Sequence, residues 1–118
     1  MPGISIHVVD VSRGVVAQGM NVELHAIVAD GAPTLVTYGA IGADGLLDKP
    51  ELGLTFRADN YAAVFHVAAY YREAGIHLPP KPFLDIVHFH FGINDPAQHY
   101  HLPFKCTPWG YSCFRGGA

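Results

Sequence analysis

Eight histidines stand in a chain of 118 residues, and four of them fall at 88, 90, 99 and 101. Each pair is spaced i, i+2. Side chains along a strand alternate faces, so each pair projects from one surface of a sheet. A further histidine, His7, lies in the opening alternating run, opposite the apolar Ile4, Ile6 and Val8. Imidazole titrates near neutrality and can act as base, acid or metal ligand. Two of them over one floor suit the hydrolysis of a cyclic amide. A neutral ring takes a proton from water as it attacks the carbonyl, and the other donates to the departing nitrogen. His7 and His101 both project from non-core faces. Arg115 is available to fix a carbonyl or carboxylate. No side-chain nucleophile is required, and Cys106 falls on the core face of its strand with no paired base. An i, i+2 pair with His7 as third ligand would suit zinc. No carboxylate or cysteine completes that set, so neither a metal nor a cofactor is expected.

The elements that must position these residues are mostly short strands. Ile4 to Val9 alternates cleanly, as does Met20 to Val28, with Glu23 and His25 on a solvated polar face. Further strands are expected over Leu35–Ala40, Leu52–Arg57 and Tyr61–Val67. One short helix is expected over Ala68–Gly75, stopped by its glycine. Phe83 to Phe91 reads as a strand with Phe83, Val87, Phe89 and Phe91 on one face and Leu84, Ile86, His88 and His90 on the other, buried on both sides. In the next strand Tyr100, Leu102, Phe104 and Cys106 oppose His99, His101, Pro103 and Lys105. A turn at Thr107–Gly110 leads to a last strand, Tyr111 to Arg115. Seven or eight strands and one brief helix predict an all-β, two-sheet β-sandwich, in one domain spanning 1–118.

Composition narrows the function. Half the residues are apolar and the formal net charge is −3, which leaves no basic field for nucleic acid or an anionic membrane. No apolar run approaches the roughly 20 residues of a membrane span. Met1-Pro2-Gly3 runs directly into a strand pattern without a leader, so a cytoplasmic protein with its two cysteines, Cys106 and Cys113, reduced is expected. The low charge content of so small a chain points to an oligomer.

Ordered blocks across almost the whole chain resemble the transthyretin-related family, and within it the 5-hydroxyisourate hydrolases. They are Ile6-His7-Val8-Val9-Asp10 with Arg13-Gly14, Asp44-Gly45, Ala69-Tyr70-Tyr71, Pro82 to Val87, Asn94-Asp95-Pro96, His99-Tyr100-His101-Leu102-Pro103 and Thr107 to Ser112. The resemblance implies a transthyretin-like sandwich of two four-stranded sheets and a homotetramer, a dimer of dimers, with sites where dimers face each other. It also implies that the strands of His7 and His101 are neighbours and that these two histidines are catalytic. Around them it places substrate-binding positions at Leu46, Ser112, Phe114, Arg115 and Gly117. Leu46 occupies the usual arginine of an Asp-Gly-Arg turn, and Phe114-Arg115-Gly116-Gly117 replaces Tyr-Arg-Gly-Ser. His90 stands where a late-strand arginine is usual, which makes it a candidate recruit to a reshaped pocket, with His99 as a second. Leucine cannot offer the planar fork of donors that arginine presents to a carbonyl-rich anion. The implied activity is His-assisted opening of 5-hydroxyisourate, in purine metabolism, or of a related cyclic ureide or lactam. The alternatives are a different ring opening, rearrangement or isomerisation of a less polar substrate, and a non-enzymatic small-molecule carrier.

Overall fold

The computed structural model describes residues 2–28 and 31–117. Its strands are β1 (Gly3–Asp10), β2 (Val15–Val16), β3 (Asn21–Ile27), β4 (Thr34–Ala40), β5 (Asp59–His66), β6 (Ile86–Ile93), β7 (His99–Thr107) and β8 (Gly110–Cys113). A helix, α1 (Val67–Glu73), follows β5 directly, and Pro50–Gly53 forms a single 3-10 turn. The strands make two four-stranded sheets, ordered β2-β1-β7-β8 and β4-β3-β5-β6. The expected two-sheet sandwich is therefore what the chain forms.

Alternation builds the core. Ile4, Ile6 and Val8 of β1 and Leu102 and Phe104 of β7 turn inward to meet Val22, Leu24, Ala63 and Phe65 of the second sheet, all of them buried. Phe65 and Phe104 stack across the gap with ring centroids 3.9 Å apart. Each large side chain so buried contributes roughly 1.5–3 kcal/mol through removal of apolar surface from water. The pairing that matters for function is β1 with β7. It is parallel, unlike the other strand pairs described, and runs from Gly3↔His99 to Asp10↔Cys106. Because both strands bury their even-numbered side chains, their odd-numbered ones share the outer face of the first sheet.

Several elements depart from the sequence expectation. Leu52–Arg57 is not a strand. Leu52, Leu54 and Phe56 alternate, but Leu54 is 61% exposed while the other two are buried, and Pro50, which has no N–H for a ladder, opens the 3-10 turn. β6 starts three residues later than expected, and Phe83 is 81% exposed rather than on the core face. The Asp85 carbonyl accepts from the amides of Val67 and Ala68 at 3.1 Å, capping α1 instead of extending β6. Gly75, with φ of 85°, does stop the helix in the left-handed conformation glycine tolerates. β8 ends at Cys113, which puts Phe114 and Arg115 beyond the ladder. Cys106 and Cys113 are both free, since the register sets Cys113 opposite Phe104.

The short β2 and the clasp beneath it went unread in the sequence. Asp10 ends β1 facing inward and is fully buried. It accepts from Tyr71 at 2.7 Å, Tyr70 at 2.9 Å, Ser12 at 2.6 Å and the Arg13 guanidinium at 2.8 Å. Burial pushes its pKa up, but those hydrogen bonds outweigh the desolvation and hold it below the usual carboxylate range. The clasp ties helix α1 to the end of β1.

Candidate active site

On the outer face of the first sheet, Ser5 lies opposite His101 and His7 opposite Pro103. The Ser5 hydroxyl lies 2.6 Å from His101 Nδ1 and 2.8 Å from His99 Nε2. His99 Nδ1 in turn lies 3.3 Å from the Pro2 carbonyl. That carbonyl can only accept, so the chain of bonds has one consistent direction. His99 Nδ1–H donates to Pro2 and Nε2 is left as an acceptor. Ser5 donates to that Nε2, and the Ser5 oxygen accepts from His101 Nδ1–H. His101 is thereby held as the tautomer whose Nε2 carries a lone pair.

Two glycines hold the imidazoles closely. Gly45, with φ of 83°, lets the chain pass His7 so tightly that a Cβ there would sit 2.6 Å from His7 Nε2. The Val8 amide donates to the Gly45 carbonyl at 2.9 Å, and Leu46 forms an isolated bridge with His7. At the other ring the Gly116 amide donates to the His101 carbonyl at 2.8 Å, and a Cβ on Gly116 would lie 2.7 Å from His101 Cδ2. Electrostatics favour neutral His101. Burial lowers its pKa from the ordinary value, and the nearby His7 and His99 lower it further by like-charge repulsion.

The structure thus brings together His7, His101, His99 and Leu46. The Lys105 ammonium lies 5.8 Å above the Phe114 ring, and Ser112 pairs with Lys105 on the same sheet. Gly117 is exposed with open space around it. Arg115 is not delivered to the imidazoles. Its guanidinium stacks 4.0 Å over Tyr100 and donates to Gln98 at 2.9 Å and to the His99 carbonyl at 3.2 Å. His90 is not recruited either. It sits on β6, in the other sheet, paired with Ala62, and its odd-even parity sends it to the opposite outer surface of the sandwich with His88. His25 is also other than expected, since its side chain is only 20% exposed and donates to Glu23 at 2.9 Å. Ser5 is the participant that sequence reasoning passed over. The signal was present, because it is the one hydroxyl on the His7 face of β1.

Residues 4–116 match the model of the HIUase/Transthyretin family. A 5-hydroxyisourate hydrolase 2 of Rhizobium meliloti (strain 1021) is 38% identical over 114 residues, covering 96% of this chain and 94% of that protein. Among solved structures, an (S)-allantoin synthase superposes with a TM-score of 0.88 at 32% identity, over 98% of this chain but 43% of that one. The 5-hydroxyisourate hydrolase of Klebsiella pneumoniae has a TM-score of 0.81 at 26% identity, over 99% of this chain and all (100%) of its own. With the family model matched from Ile4 to Gly116 and full-length relatives at this identity, the chain belongs to the HIUase/Transthyretin family.

Proposed function

We propose that the chain hydrolyses 5-hydroxyisourate, opening a cyclic amide with His101 as general base and His7 as general acid. The observation that carries this is the directed chain Pro2–His99–Ser5–His101, which leaves His101 Nε2 unprotonated beside His7 on an accessible face. Family membership and similarity to 5-hydroxyisourate hydrolases support this choice of substrate. His101 Nε2 takes a proton from water as its oxygen adds to the ring carbonyl. The C–N bond then breaks and the ring nitrogen leaves with a proton from His7. The product carries the water's oxygen and one of its hydrogens as the new carboxyl group and the His7 proton on the released nitrogen. The water's other proton, taken by His101, is lost to solvent as His7 regains one. Leu46, Ser112 and Phe114 border the substrate space, with Gly117 at its edge. Arg115 has no part in this set, because its guanidinium is committed to Tyr100, Gln98 and His99.

Assembly completes the reading. Leu46 and Phe114 are exposed, and Val9, Val16 and Pro103 half-exposed, around two imidazoles on an open sheet face. The edge strands β6 and β8 have unpaired backbone groups on one side. Both features support a homotetramer in which sheets of this kind face each other and enclose the site. The test is the ultraviolet decay of freshly generated 5-hydroxyisourate with the parent and with the His7→Ala/His101→Ala double variant. Acceleration by the parent and its loss in the variant are expected. No acceleration by the parent sinks the assignment.

One observation favours a second reading. Leu46 is the residue that bridges to His7, so the position against the candidate acid offers methyl groups where a cationic donor would grip an anion. A less polar cyclic amide or ureide fits that wall better. Turnover of a neutral lactam in preference to hydroxyisourate, again abolished by the double change, selects this reading.

A further inference from the structure

The opposite face of the sandwich holds a second group of imidazoles that the reaction does not use. His25 on β3, His66 at the end of β5, and His88 and His90 on β6 line one concavity of about 280 Å³ with Glu23, over a floor of Ala62 and Val64. Register explains why they meet. His25 and His90 both pair with Ala62, from its two sides, and Glu23 and His88 both pair with Val64. The Ala62 methyl group therefore lies between the two histidine positions on the outer face. His25 Nε2–H donates to one Glu23 oxygen at 2.9 Å, and His66 Nε2–H donates to the other. In the neutral ring this leaves Nδ1 of His25 as the lone-pair nitrogen, and that atom is buried with no hydrogen-bond partner. A carboxylate on one ring nitrogen with the other left bare is how proteins orient histidine toward a metal ion.

We propose that this face binds a divalent cation of the zinc, copper(II) and nickel class, held by His88 and His90 as an i, i+2 chelate and by His25 Nδ1 as third ligand. Imidazole sets select such borderline ions over calcium or magnesium, which prefer oxygen ligands. Glu23 is the positioning residue, fixing the tautomers of His25 and His66. Among the described residues no three ligating groups yet converge as the rings stand. His88 and His90 are exposed, however, and the proposal has their rings turn toward His25 so that the chelate closes as the ion binds. The site lies across the sandwich from His7 and His101, so it serves stability or assembly rather than the hydrolytic step.

The experiment is calorimetric titration of zinc into untagged, chelator-stripped protein at pH 7.5. One equivalent per chain is expected on this face. The His88→Ala/His90→Ala variant should bind it at least about 100-fold more weakly, and Glu23→Gln about 10- to 100-fold more weakly. His7→Ala/His101→Ala should leave this equivalent in place. Because His88 and His90 are exposed, their replacement spares the fold, and a melting curve without metal checks that. A second readout is copper(II) broadening of imidazole proton resonances, expected for His25, His88 and His90 and not for His99. No equivalent bound, undiminished binding in the His88/His90 variant, or binding lost only with His7 and His101 each overturns the proposal.

Discussion

A single hydroxyl, Ser5, supports His101 as the proposed base, because it can donate only once. It gives its proton to His99 and so must accept from His101. Ser5→Ala should therefore lower kcat by about 10- to 100-fold with little change in KM, on the scale of a displaced general base. Steady-state kinetics on the same substrate provide the measurement. The sign of the pH effect follows from the same ring. As the proposed base His101 must be neutral, and its pKa is depressed by burial and by His7 and His99. Activity falls as pH drops through that value, and the fall begins below the ordinary imidazole pKa of about 6.5. His99→Gln removes one of the repulsive neighbours, so the acid limb of kcat/KM should move to higher pH. A limb that moves the other way refutes the coupling. Leu46→Arg, set against His7, should raise kcat/KM on hydroxyisourate by at least about 10-fold if the substrate is anionic, as a restored charge-stabilising donor does. A loss of activity instead favours the less polar substrate.

At the scale of elements, the parallel β1–β7 pair presents the histidines and the Asp10 clasp holds its far end. Removing the buried carboxylate takes away the acceptor shared by Tyr70, Tyr71, Ser12 and Arg13. Asp10→Ala should cost about 3 kcal/mol, measured by urea unfolding. The pH dependence has a definite sign. Asp10 has a lowered pKa in the folded state, so its stabilisation is present above the unfolded carboxylate value of about 3.9 and is lost as pH falls through the folded one. The stability gap between parent and Asp10→Asn should narrow in that acid window. Periodicity made β1, β3 and β7 legible, because one face of each is buried and the apolar positions alternate. It misplaced Leu52–Arg57, where alternation coincides with a proline-led turn, and the start of β6, where a carbonyl is diverted to cap α1. Such diversions depend on partners far along the chain. The burial of Asp10 is illegible locally for the same reason, since Tyr70 and Tyr71, its partners, lie 60 and 61 residues away.

For the whole molecule, two outer surfaces carry two sets of histidines with different fates. The first sheet's face, with its exposed Leu46 and Phe114, is the surface proposed to be covered in a tetramer. Light scattering should give about four times the 12.8 kDa chain mass, and a monomer at micromolar concentration refutes the assembly. No helix among the described residues is long and apolar enough to cross a membrane. By itself the sequence determined the sandwich, the inward and outward parity of β1, β3 and β7, and the candidacy of His7 and His101, because these follow from period-2 patterning and from ordered blocks of residues. Only the tertiary structure decided which histidines share a surface. Parity says that a side chain faces outward, but a sandwich has two outer surfaces, and strand order assigns each ring to one of them. That assignment joined Ser5, His99 and His101, sent His90 across to His25, and turned Arg115 onto Tyr100.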